Sequence, residues 1–183
     1  MKKGLLLLAV VLLLAGCSKD KTDADGNASA DTGKNASQEG TDNSDSQKAG
    51  FEFTYNDVVI PMNVDAAPVI EALGKSDEYF EAASCAFQGL DKTYTYKGFE
   101  LTTYPQGDKD YISTLYFLDD SVSTDKGICI GSSLSDVTAA YGDDYTEKSG
   151  EYTYTLGDST LAFIIENDEV TSITYSAVVE GLE

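Results

Sequence analysis

The side chains of this chain that could do chemistry are 32 carboxylates, three cysteines and twelve tyrosines, beside twelve lysines and no arginine, histidine or tryptophan. Without histidine there is no Ser-His-Asp triad, no Cys-His dyad and no imidazole metal ligand. Without arginine there is no bidentate clamp for phosphate or carboxylate. A pair of acids remains open. Glycoside hydrolysis needs two carboxyl groups roughly 5–9.5 Å apart, and Glu52, Asp57, Glu100, Glu151, Glu166 and Glu169 are candidates by type alone. Asp119-Asp120, Asp143-Asp144 and Asp168-Glu169 would attract Ca²⁺ only weakly, because no loop pattern completes a ligand set. Asp23-Ala24-Asp25-Gly26-Asn27 starts such a pattern and breaks it, with Ala28 at the sharp-turn glycine and Lys34 at the closing glutamate. No metal or other cofactor is therefore expected, and the chain reads as a non-enzyme.

Two of the cysteines, Cys85 and Cys129, have two readings. An exported pair can form a disulfide, or each can be a separate thiol that packs as a small apolar residue. The tyrosines also divide. Tyr94 and Tyr96 stand two apart, as do Tyr152 and Tyr154, so on strands each pair shares a face. Together with Tyr104 these rings make a candidate binding face, since rigid amphipathic rings suit recognition. The competing reading is that tyrosine is a good strand former at a half-buried rim.

Elements must position these groups, and the first fifty residues supply none. Lys2 and Lys3 precede an apolar run from Leu5 to Leu14, followed by Leu14-Ala15-Gly16-Cys17. The run is short of the roughly 20 residues that cross a bilayer and has the length of a signal-peptide core. Ser18 to Gly50 contain no Leu, Ile, Val, Phe, Tyr or Met, so this stretch cannot bury enough apolar surface to offset its ordering entropy. It reads as a tether.

Charge separates the two parts. The net charge is −20, and residues 51–183 carry six lysines against 25 acids. Such a head should be repelled by nucleic acid. Its charge either keeps the surface solvated or steers it toward a basic partner.

Residues 51–183 show internal similarity. Asp65 to Gly74 lies over Ser133 to Gly142, Tyr94-Thr95-Tyr96 over Tyr152-Thr153-Tyr154, and Ile112-x-x-Leu115-x-Phe117 over Val170-x-x-Ile173-x-Tyr175. Each copy (about 51–120 and about 127–183) reads as a short helix followed by three or four antiparallel strands. Asp65 and Ser133 are N-cap types, and Gly74 and Gly142 are helix stops. Strands are expected over 93–97, 99–104, 111–118, 151–156, 160–166 and 169–177, with one more over 53–60. Ser76 to Ala83 suits a second short helix, and Gly127 to Gly131 suits an opening strand. The fold class expected is α+β, a tandem repeat with helices packed on one face of the sheet.

The lipobox-like Leu14-Ala15-Gly16-Cys17, the Ala140-Tyr141-Gly142 helix end after Gly127-Ile-Cys-Ile-Gly131, and the tyrosine-rich strands resemble lipoproteins related in fold to β-lactamase inhibitor protein. The single unit is similar to outer-membrane assembly lipoproteins of the SmpA/OmlA type. Ser84-Cys85-Ala86-Phe87 and Tyr94-x-Tyr96 are similar to uncharacterised surface lipoproteins of Gram-positive bacteria. This resemblance implies that Cys17 is the lipidated N-terminus of the mature chain. Residues 1–16 are then the signal peptide, 17–50 the lipidated cysteine and tether, and 51–183 the head. Two acyl chains anchor stably, because each buried CH₂ adds about 0.8 kcal/mol. The expected location is extracytoplasmic, on the bacterial cell membrane. The resemblance implies a binding surface and supplies no catalytic residue. The expected function is non-catalytic protein binding at the envelope, through an acidic, tyrosine-rich sheet face. Binding of a small molecule, glycan or ion is the alternative, and a carboxylate-based hydrolase the remote one.

Overall fold

A computed structural model describes residues 50–181. The expected signal peptide, Cys17 and the tether up to residue 49 lie outside the described residues. Among the described residues no helix is long and apolar enough to cross a membrane.

The head begins with a hairpin of β1 (Glu52–Tyr55) and β2 (Val58–Pro61). Its turn is Asn56-Asp57, at φ 47° and 66°, the left-handed pair that a two-residue hairpin loop requires. Helix α1 (Ala66–Leu73) follows, capped by Asp65, whose side chain accepts from the Ala67 N–H. Four strands come next: β3 (Glu78–Ala83), β4 (Leu90–Tyr96), β5 (Phe99–Gln106) and β6 (Lys109–Phe117). Helix α2 (Leu134–Tyr141) opens with a capping box between Ser133 and Asp136. The chain ends with β7 (Thr146–Lys148), β8 (Glu151–Leu156), β9 (Ser159–Glu166) and β10 (Glu169–Ala177). Strands β3 to β10 form one antiparallel sheet in the order β3-β4-β5-β6-β10-β9-β8-β7.

Alternation decides which side of this sheet is dry. Phe99, Leu101, Leu115, Phe117, Leu161, Phe163, Ile173 and Tyr175 are all buried. The hairpin lays Phe53 onto them, with its ring 5.3 Å from Phe99, 5.1 Å from Phe117 and 6.2 Å from Tyr175. Ile60, the cross-strand partner of Phe53, is buried beside it. These offset and edge-on ring contacts centre the core under β5, β6 and β10.

The expected α+β tandem repeat is overturned. The described residues are mostly β, with 50% strand and 12% helix. An eight-residue helix is about 12 Å long, whereas eight strands span about 34 Å, so the helices cannot form a covering layer. α1 buries only Ala66 and Val69, and α2 only Val137. The hairpin and the buried Val122 and Ile128 between β6 and α2 complete the cover. β6 and β10 pair directly, and one core runs through both halves of the head.

Local expectations changed for related reasons. Residues 53–60 are not one strand, because Asn56-Asp57 turns the chain. Ser76 to Ala83 is not a helix but contains β3, whose Tyr79 packs on Tyr94 at 5.1 Å while the Asp77 N–H bonds the Thr95 carbonyl. Sheet pairing overrides the helix signals of Ser76, Asp77 and Glu78 there. Gly127 to Gly131 holds turns rather than a strand, with Gly127 and Gly131 both at positive φ.

Candidate binding surface

Register locates the five candidate tyrosines. Tyr94 opposes Leu101 and Tyr96 opposes Phe99, while Tyr152 opposes Phe163 and Tyr154 opposes Leu161. Directly opposed residues share a face, so all four rings lie on the side of the core. Tyr96 is 6% exposed and Tyr154 is 4% exposed. Their hydroxyls tie the helix ends to the sheet: Tyr96 donates to the Gly74 carbonyl at 3.4 Å, and Tyr154 to the Gly142 carbonyl at 2.8 Å. Burial raises both phenols above the usual tyrosine range. Tyr94 and Tyr152 are half-buried against Tyr79 and Tyr145. Tyr104 is buried under Phe87, its hydroxyl donating to Asn63 Oδ1 at 2.7 Å. The sequence grouped these residues by type and spacing, and the structure buries Tyr96, Tyr104 and Tyr154 while leaving Tyr94 and Tyr152 partly exposed.

The opposite face of the sheet is the open one, and it is built of hydroxyls. Thr93 opposes Thr102, Thr102 opposes Thr114, Thr114 opposes Ser176, Ser176 opposes Thr160, and Thr160 opposes Thr155. This row crosses six strands, about 24 Å at the usual strand spacing. Beside it runs a second row, Thr95-Glu100-Tyr116-Thr174-Ala162-Thr153. Large apolar groups interrupt the carpet: Phe80 at 66%, Tyr116 at 39% and Ile164 at 37% exposure. Sequence reasoning did not single out these three. Alternation along each strand carried the signal, but cross-strand register was needed to bring them onto one face.

A second feature is a concavity of ≈ 400 Å³ lined by Phe51, Met62, Tyr141 and Leu156 together with Asp125 and Lys126. Three of its polar side chains already have partners. The Tyr141 hydroxyl donates to Asp125 at 3.1 Å, and Lys126 donates to the Ala140 carbonyl at 3.0 Å while lying 4.5 Å from the centre of the Tyr141 ring. Burial pushes the Tyr141 and Tyr175 phenols far above the tyrosine range.

Of the acids proposed by type, one pair comes together, and it stands exposed at a turn. Glu166 and Glu169 oppose each other beside the exposed Asn167-Asp168 turn. Asp57 sits in the first hairpin turn, Glu100 and Glu151 belong to the open face, and Glu52 lines the concavity. Among the described residues no three Cys, Asp or Glu side chains gather to hold a metal. Cys85 is an exposed free thiol, and Cys129 is a half-buried one whose N–H donates to Ser132 Oγ at 3.1 Å. The disulfide reading therefore does not describe this structure.

Comparison with family models, curated proteins and solved structures gives no match for this chain.

Proposed function

We propose that this is a lipid-anchored, extracytoplasmic, non-catalytic module that binds another protein through the open face of its eight-stranded sheet. The membrane is reached through lipid on Cys17, and nucleic acid is excluded by charge. The observation that carries the reading is the exposure of Tyr116 within the second hydroxyl row and of Ile164 beside it on the same face. Exposed rings and aliphatic groups set among adaptable hydroxyls are the makings of an interface, with anchors and a polar surround. Tyr96 and Tyr154 are buried and Tyr94 and Tyr152 half-buried on the other side of the sheet, and Tyr104 is buried under Phe87.

The test is site-specific photo-crosslinking of the full chain in its own envelope. A photoreactive residue at Tyr116 or Thr102 should capture a discrete protein, and one at Val59, on the hairpin, should not. Tyr116→Asp with Ile164→Asp should abolish capture without lowering the Tm. Equal capture from both surfaces, or from neither, defeats the reading.

A second reading, a small-ligand site, rests on the ≈ 400 Å³ concavity, which lies within the size range of such pockets. A screen of glycans and metabolites with Leu156→Trp as the blocked control tests it.

A further inference from the structure

The sheet has two edges, and they differ in a way that the core does not explain. β7 is three residues long, carries Lys148 and runs into the Ser149-Gly150 turn, both residues of which have positive φ. A short strand with a lysine and a sharp turn is a protected edge. β3 lacks the short length, the lysine and the sharp turn, and carries only the negative charges of Glu78 and Glu81. It is six residues long, Glu78-Tyr79-Phe80-Glu81-Ala82-Ala83, and every residue is exposed. It contains no proline or lysine, and its register with β4 is unbroken from Glu78↔Thr95 to Ala83↔Leu90.

Its backbone is poised for a further strand. The Ser84 N–H donates to the Gly89 carbonyl at 3.0 Å and continues the register past Ala83. Ladder bonds alternate along an antiparallel pair, so the amides of Tyr79, Glu81 and Ala83 point away from β4. The charges guarding this strand, Glu78 and Glu81, are both negative, so they repel an acidic strand and attract a basic one.

We infer that β3 accepts an extended, lysine- or arginine-bearing segment of the partner protein as a ninth strand. This rests on the protein-binding reading above and names the partner's chemistry. Charge selects that occupant. Asp77, Glu78 and Glu81 occupy this edge with no lysine among residues 76–83. Across the strand pair, Lys92 is already held by Asp110 at 2.6 Å. The Tyr79 hydroxyl donates to the Glu81 carboxylate and fixes it at the edge. A second copy of this chain is the poorer occupant, since antiparallel self-pairing would crowd two sets of Glu78 and Glu81 together within a head of strongly negative charge. Phe80 offers the apolar contact for one side of the added strand, and Tyr79 for the other. Main-chain bonds then supply affinity, and the alternating side chains supply selectivity.

The experiment uses the full chain and three synthetic eight-residue probes. One alternates lysine with valine, one alternates glutamate with valine, and one is the lysine probe with a central proline. Amide hydrogen exchange is followed by NMR. The lysine probe should slow exchange at Tyr79, Glu81 and Ala83 by about tenfold or more, as expected for amides taken into a ladder. The glutamate and proline probes should not, and added salt should weaken the effect. Glu81→Pro removes one outward donor. Should that variant unfold, Glu78→Lys with Glu81→Lys keeps the question sharp, because it should exchange the preference from the lysine probe to the glutamate probe. Binding without protection of these amides, or an unchanged preference in the double-lysine variant, overturns the proposal. So does protection in concentrated protein alone, which would identify a second copy as the occupant. Crosslinking from Tyr116 is read in parallel: if it persists while the β3 amides stay unprotected, strand addition fails and the open-face reading survives.

Discussion

The Tyr154 hydroxyl donates to the carbonyl of Gly142 at 2.8 Å, closing the last turn of α2 onto β8. Tyr96 makes the corresponding bond to Gly74, at the end of α1, at 3.4 Å. Both carbonyls follow helices of only eight residues, which are marginal on their own. A net hydrogen bond is worth about 0.5–1.5 kcal/mol. Tyr154→Phe should therefore lower stability by about 1 kcal/mol in urea unfolding, and Tyr96→Phe by less, because its bond is longer. Equal losses, or none, would show that the hydroxyls do not hold the helices.

Phe53 is the second test, because it carries the hairpin into the core. Truncating a buried phenylalanine costs about 3–5 kcal/mol, so Phe53→Ala should unfold a large fraction of the protein or shift the denaturant midpoint strongly. Val59, on the same hairpin, is 46% exposed, and Val59→Ala should stay within about 0.5 kcal/mol of the parent. Similar small effects at both positions would mean that the hairpin is not part of the folding unit.

Tyr79 should titrate late. Its hydrogen bond to Glu81 pushes its phenol from 10.0 to about 12. The folded value is raised, so the stability this bond contributes is whole below pH 10 and is lost as pH rises through about 12. Phenolate absorbance should show a late step that Tyr79→Phe removes. Glu81→Gln should move that step back toward 10.0. If the step is indifferent to residue 81, the bond does not exist in solution.

The two head thiols should be separable by access. Cys85 is exposed and Cys129 half-buried, so a maleimide should label the native protein first at Cys85. Under denaturing, non-reducing conditions the intact protein should accept label at both, as read by mass. A mass two hydrogens short, with neither thiol reactive, would restore the disulfide reading.

Local chemistry was legible in the sequence wherever it was decided locally. Asp65 and Ser133 cap helices because a short side-chain oxygen can reach the N–H groups just ahead of it. Glu151–Leu156 and Glu169–Ala177 are strands because tyrosine, threonine, isoleucine and valine crowd those segments between turn residues. The absence of histidine and arginine closes whole classes of chemistry whatever the fold.

Tertiary structure decided everything that depends on who lies opposite whom. Pairs two apart share a face, but only the register Tyr94↔Leu101 and Tyr154↔Leu161 shows that the face is the inner one. Ser76 to Ala83 has helix signals worth a fraction of a kcal/mol each, and pairing with β4 outweighs them. The β6–β10 pairing merges the two similar stretches into one sheet, and Phe53, rather than a helix, fills the centre of the core. Composition and capping act over a few residues and are written in order along the chain. Register, burial and an open edge are relations between distant segments, and they come into being only when the sheet closes.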